Sequence, residues 1–205
     1  VEILGQRRRG KDQLDRLDDA RRWLDAALKL AGSGDVGAIA AATALLMGMR
    51  ASEVTDRLVR DLDDDGRVLI IPTAKTRAGV RRLRIPEVLR SLLARLADGK
   101  QPTERLFGAE ANRYWLRFAV RRICRVAATP VIGPHGLRGT HATLAVQAGV
   151  TGDAVAAALG HESFAITASH YAKPEAVIDT RIHQIEETLG LRKFRKSSAD
   201  DRGAA

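Results

Sequence analysis

Residues 67–86 read RVLIIPTAKTRAGVRRLRIP, and this stretch decides the fold class. RVLIIP is a short run rich in aliphatic and β-branched residues, closed by Pro72, which is the composition of a strand. TAKTRAG is turn material, and VRRLRIP is a return strand with Leu83 and Ile85 on one face, because side chains alternate along a strand. Asp63-Asp64-Asp65-Gly66, just ahead, is turn chemistry as well. The stretch is therefore a β-hairpin whose tip carries Lys75 and Arg77. Its surroundings read as helix. The expected class is mainly α with a small antiparallel β-sheet, an α+β domain.

Upstream of the hairpin, Leu14, Leu17, Leu24 and Leu28 mark an amphipathic helix beginning near Asp12 and stopped by Gly32-Ser33-Gly34. Asp35 is a good N-cap for the next helix, where Val36, Ile39, Ala40, Thr43 and Met47 share a face. Gly48 and Ser52 bracket a break, and a further helix is expected over about 52–60. Downstream, Pro86 suits the first turn of a helix that buries Val88, Leu89, Leu92, Leu93 and Leu96. A helix over 110–127 has Leu116, Val120, Ile123 and Ala127 on its apolar face. Its other face carries Arg113, Arg117, Arg121 and Arg125 at four-residue intervals. A solvated face normally mixes both signs of charge, and this one does not, so phosphate contact is favoured over a plain solvated surface. Helices follow over about 136–148, 152–159 and 163–171, the first two closed by Gly149 and Gly160. A last amphipathic helix carries Val177, Ile178, Ile182, Ile185 and Leu189. Residues 1–11 read as a linker or the frayed end of a preceding domain, 12–191 as one domain, and 192–205 as a charged, disordered tail.

The 34 Lys and Arg outnumber the 25 Asp and Glu, a formal charge of +9, which favours a polyanionic partner such as nucleic acid or an acidic membrane surface. A single cysteine, Cys124, excludes an internal disulfide and a Cys-based zinc site, and fits a reducing compartment. None of the five histidines stands in an HExxH context, so no metal is expected. No apolar run approaches the roughly 18 residues of a membrane span, and no signal peptide is visible. A cytoplasmic protein without membrane partners is expected.

The chemistry-bearing residues sit at element ends. Arg50 lies at the Gly48-Met49-Arg50 break, Lys75 at the hairpin tip, and Arg138 in the first turn of a helix, three residues after His135. An Arg and a His pointing outward from a helix N-terminus make a ready anion site. The stretch LGHESFAITASHYAKPE, 159–175, contains Tyr171, one of only two tyrosines, among small residues rather than core aliphatics. Free tyrosine has a pKa near 10, so attack at neutral pH needs cationic neighbours or a local base. Attack on a phosphodiester also needs donors for the non-bridging oxygens, where arginine excels. The leaving alkoxide needs a proton, which a flexible lysine can deliver. Two Arg, one Lys, two His and one Tyr suffice without metal. Ser163 is better read as the N-cap of its helix than as a nucleophile, since no GxSxG elbow exists.

Four blocks of the chain, in order, resemble the catalytic domain of the tyrosine recombinases, the phage integrase family. GMRASEV looks like the family's G-[LM]-R-x-S-E block and places its first arginine on Arg50 and a supporting acid on Glu53. The hairpin IPTAKTRAGVRRLRIP places the family's lysine on Lys75. HGLRGTHAT, similar to H-x-L-R-x-x-x-A-T, places a histidine on His135 and the second arginine on Arg138. LGHESFAITASHY places His161 and the nucleophile on Tyr171. The resemblance implies DNA strand cleavage and rejoining through a 3′-phosphotyrosyl link, with no cofactor. It also implies double-stranded DNA as partner, self-association as a tetramer on DNA, and hence association with the nucleoid. Arg77 and the arginine stripe would add DNA contacts. The chain departs from the pattern at Gly139, where the family commonly has histidine, and His170 gains no role from it. The stretch before Asp12 is too short for the family's usual N-terminal DNA-clamping domain, so the expectation is either a catalytic domain cut from a longer protein or a member that lacks half the clamp. A type IB topoisomerase-like relaxation, or a DNA-binding module with a vestigial catalytic set, are the competing readings.

Overall fold

The computed structural model describes residues 12–74 and 77–161. Lys75, Tyr171, His170, the helices expected over 163–171 and 177–189, and both chain ends lie outside the described residues. The order is α1 (Leu17–Gly32), α2 (Val36–Leu46), α3 (Ala51–Thr55), β1 (Leu62–Asp63), β2 (Val68–Ile71), β3 (Arg81–Arg84), α4 (Glu87–Ala97), α5 (Arg113–Val126), α6 (Pro134–Gln147) and α7 (Gly152–Leu159). This is a mainly helical domain with one small antiparallel sheet, as the hairpin reading requires.

The hub is α2. Asp35 caps it, its carboxylate accepting the Ala38 N–H at 3.0 Å. The sequence pattern suggested one apolar face, but every residue from Gly37 to Leu45 is buried. The helix touches α1, α3, α4, α5 and α6. Its run of alanines explains this: small side chains let neighbours approach from all sides, so no polar face is left to show. A helix apolar all round belongs in the centre of a core.

The leucine spacing at the start of α1 misleads. Leu14 is 1% exposed but precedes the helix, and Leu17 is 46% exposed. The buried face carries Ala20, Trp23, Ala27 and Ala31 instead. Trp23 is fully buried, a side chain whose burial contributes on the order of 3 kcal/mol. The Leu14 N–H donates to Thr140 Oγ1 at 2.9 Å, so its backbone is committed to α6 rather than to a first helical turn. Gln13 Nε2 lies 3.2 Å from Thr143 Oγ1. Asp12 completes this strap over α6: a Cβ at Gly136 would stand only 2.3 Å from the Asp12 carbonyl oxygen.

Gly48 ends the α2 segment with φ +61. A Cβ there would lie 2.7 Å from His141 Cδ2 and 2.8 Å from Leu159 Cδ2, so the position needs glycine both for its conformation and for space. The helix expected over 52–60 is cut to α3, followed by a 3-10 turn at Val59–Asp61. Arg57 is the reason. Its buried guanidinium donates to Glu53 O, Asp61 Oδ2 and Ile70 O. The Val59 and Arg60 N–H groups go to the Glu104 and Pro102 carbonyls. These tertiary bonds replace the helical ones.

The hairpin forms as read, with Leu69 opposite Leu83 and Ile71 opposite Arg81. The sheet gains a third strand that the composition did not announce, β1, pairing Leu62 with Leu69. Arg77 opens a 3-10 turn at Arg77–Gly79. Further on, Asn112 caps α5 by accepting from the Tyr114 and Trp115 N–H groups. Pro134 stands at the first position of α6, where its missing N–H costs nothing. Gly160, at φ +65, closes α7.

Candidate active site

The site is built around one carboxylate. Glu53 lies in the first turn of α3 and is 7% exposed. Its Oε2 accepts the Arg50 backbone N–H at 2.8 Å, and its Oε1 accepts Arg50 Nη1 at 2.7 Å. The side chain thus caps its own helix and holds the guanidinium of the residue at the helix entrance. Arg50 itself is 40% exposed, so its outer edge faces solvent. Arg138 approaches from α6, with Nη1 3.9 Å from Glu53 Oε2.

Arg138 differs from the outward-pointing residue expected at a helix start. It is fully buried. Nη1 donates to Gly48 O at 2.6 Å and Nη2 to Leu159 O at 2.5 Å. Both carbonyls terminate neighbouring segments and need donors, and the planar guanidinium reaches both at once. Nη2 also lies 2.8 Å from His161 Nε2. A guanidinium can only donate, so His161 Nε2 is the acceptor and its ring proton sits on Nδ1. His135, half-buried at the second position of α6, lies one turn before Arg138.

Behind this cluster, His141 is held by Leu45 O at 2.9 Å from Nδ1. Burial lowers its pKa and the Arg138 charge lowers it further, against the Leu45 bond, which raises it. His141 is thus a neutral wedge beneath Gly48. Among the described residues, no group of three or more His, Cys, Asp or Glu could hold a metal ion.

The sequence pattern missed Arg81. Its side chain is 8% exposed and forms a forked pair with Glu53, Nη1 to Oε1 at 3.1 Å and Nη2 to Oε2 at 3.0 Å. The signal was present: Arg81 shares the inward face of its strand with Leu83, two residues on. A charge on that face requires a buried partner.

Arg50, Glu53, Arg138 and His161 are therefore brought together, with Arg81 added. The stripe residues Arg113, Arg117, Arg121 and Arg125 are exposed on α5, and Arg77 is exposed at its turn. Four-residue steps advance about 40° each on a 3.6-residue helix, so the stripe winds around α5 rather than lining one edge. Arg113 lies over the Tyr114 ring, 4.8 Å from its centroid. The adjacent Arg122 pairs with Asp35.

Burial works to raise the pKa of Glu53, but the hydrogen bonds and charge of Arg81, with those of Arg50, hold it at about 2 against an ordinary 4.5. A depressed carboxylate stabilises the fold fully above its unfolded pKa, and that stability is lost as pH falls through the folded value. The shift corresponds to about 3 kcal/mol, lost between pH 4.5 and 2. Urea unfolding of the wild type and Glu53→Gln should show the variant less stable at pH 7 and the gap closing towards pH 2. A gap that stays constant across that range would refute the assignment.

The chain is similar in fold to several solved structures. The XerA recombinase matches at TM-score 0.69 and 18% identity, over 86% of this chain and 65% of that one. The Tn1549 transposon integrase, in complex with transposon right end DNA, matches at 0.65 and 21%, over 90% and 68%. The XerH site-specific recombinase bound to difH, in a pre-cleavage complex, matches at 0.63 and 20%, over 82% and 53%. The chain thus spans between about half and two thirds of the length of these proteins. Among curated proteins, none matches it. The phage integrase family model covers residues 17–176, which include the Glu53 cluster. With that match over most of the chain, and the fold of tyrosine recombinase catalytic domains, this protein belongs to the phage integrase family.

Proposed function

We propose that the chain is the catalytic domain of a site-specific DNA recombinase or integrase, with Tyr171 as nucleophile. The observation that carries this reading is the Glu53 cluster. One buried carboxylate joins Arg50 at the entrance of α3 to Arg138 on α6, and Arg138 touches His161. Two arginines from distant segments, held close together, suit the two non-bridging oxygens of a phosphodiester.

In this reading the Tyr171 oxygen bonds to phosphorus as the bond to the 5′ oxygen breaks, leaving a 3′-phosphotyrosyl link. Arg50 and Arg138 stabilise the charge on the phosphate oxygens, and His161 hydrogen-bonds the phosphate. Lys75 protonates the departing 5′ oxygen, and His135 acts in proton transfer. A 5′-hydroxyl from another strand then reverses the step. The covalent link conserves the phosphodiester's bond energy, so neither ATP nor metal is called for. Exchange between two duplexes breaks four strands, one tyrosine each, which supports a tetramer on DNA. Double-stranded DNA as substrate places the working protein in the cytoplasm, at the nucleoid.

The test is a nicked suicide DNA substrate, from which the cleaved end cannot be religated. A denaturant-stable protein–DNA adduct is expected, with peptide mapping locating the link at Tyr171. No adduct, or a link elsewhere, overturns the reading. A plasmid carrying two target sites separates recombined products from merely relaxed ones.

The α5 stripe extends the DNA surface in this reading, supported by its exposure and lack of acidic neighbours on the helix. Changing Arg113, Arg117 and Arg121 to Ala should weaken binding and flatten its salt dependence. Each lost phosphate contact removes about 0.9 from the log–log slope. An unchanged slope returns the stripe to an ordinary solvated face.

A further inference from the structure

We propose that Arg81 is a positioning residue for strand cleavage, tying the Glu53 carboxylate to the end of α7 so that Arg50 and Arg138 are held in register. The proposal rests on the strand-cleavage reading above. Arg81 begins β3, opposite Ile71, in the strand pair next to the hairpin turn. Its Nε donates to Ala158 O at 2.9 Å, and Nη1 donates to Gly79 O at 2.8 Å as well as to Glu53. One side chain therefore joins three parts of the site: the first turn of α3, the hairpin, and the last turn of α7.

Each part delivers a functional group. Glu53 holds Arg50. The carbonyl next to Ala158, that of Leu159, accepts from Arg138, and His161 follows two residues later. The hairpin leads to Lys75. A shift of Arg81 thus moves the two arginines relative to each other without Arg81 itself meeting the phosphate. Lysine cannot replace it fully, because an ammonium lacks the planar fork that grips a carboxylate and a carbonyl together.

The charged groups facing Glu53 are Arg50 from the entrance of α3, Arg57 from its exit, Arg81 from β3, and Arg138 from α6. Of these, Arg81 does most to offset the burial that raises the Glu53 pKa. Without it, Glu53 takes up a proton at a higher pH, and the cluster loosens on the acid side.

The experiment is single-turnover cleavage of the suicide substrate between pH 5 and 9, at saturating DNA, for wild type, Arg81→Met, Arg81→Lys and Arg81→Met/Glu53→Gln. Arg81→Met should slow cleavage about 10- to 100-fold, with DNA affinity within about threefold because the Arg81 guanidinium is committed to Glu53, Gly79 O and Ala158 O. Its deficit should deepen as pH falls, and Arg81→Lys should recover part of the rate. Arg81→Met/Glu53→Gln should be slow at every pH, with the acid-side deepening gone. Rates are scored per folded molecule, and if Arg81→Met does not melt cooperatively, Arg81→Lys decides. Cleavage by the decisive variant at the wild-type rate and with the wild-type pH profile overturns the proposal. An equal loss in DNA affinity and rate overturns it too, making Arg81 a DNA contact. If wild type forms no adduct, the strand-cleavage reading falls and the positioning role with it.

Discussion

Replacing Tyr171 with phenylalanine is expected to abolish covalent capture of DNA while leaving DNA binding within about twofold of wild type. The substitution removes one oxygen and keeps the ring. Phenylalanine has no group that can form a bond to phosphorus. Adduct formation on a suicide substrate should fall on the order of 10⁴-fold or more, below detection in a gel assay. The equilibrium readout matters as much as the kinetic one. A variant that binds but never traps separates the nucleophile from the DNA-binding surface. If Tyr171→Phe traps as much DNA as wild type, the nucleophile is another residue and the role of the 159–175 stretch must be reassigned.

The second large effect is expected at Arg138, and it has two parts. The side chain is fully buried and donates to the carbonyls of Gly48 and Leu159. Arg138→Ala leaves both acceptors without these bonds, opens a cavity, and removes a cation from beside Glu53. Losses of this kind cost about 3–5 kcal/mol, which lowers the melting temperature on the order of 10 °C in a domain of this size. Cleavage should fall about 10²–10³-fold when measured on the folded fraction, the usual loss when one donor to a developing oxyanion is removed. Arg138→Lys keeps the charge but cannot reach both carbonyls, so it should restore more stability than cleavage. A folded Arg138→Ala protein that cleaves within tenfold of wild type would show that this arginine is architectural only.

The contrast between Arg138 and Arg81 shows what a linear pattern can carry. The hairpin was legible because strand alternation and turn residues are local, and the cap at Asp35 acts on an N–H group three residues away. Arg50, Glu53, Arg138 and His161 could be singled out from short motifs, and the structure brings these four together. What escaped were consequences of distant contacts. The helix expected over 52–60 breaks because the Val59 and Arg60 N–H groups go to the Glu104 and Pro102 carbonyls and Arg57 reaches Ile70 O, on segments whose placement no local rule predicts. Leu14 looked like the first residue of a helical stripe, yet Thr140 holds its backbone. The Arg138 motif is visible in sequence, but its inward orientation is not, since Gly48 O and Leu159 O are long-range acceptors. Arg81 lay on the readable inward face of β3, but its partner Glu53 is 28 residues away.

The strap at residues 12–14 has a mechanical meaning. The chain ahead of α1 is bonded to α6 at Thr140 and Thr143 and packs tightly against it at Gly136. Tension on the backbone at Asp12 is delivered sideways to α6 before it can run along α1. The helix that receives it carries His135 and Arg138. The backbone of residues 12–14 is therefore coupled directly to the helix that aligns Arg138 with Glu53.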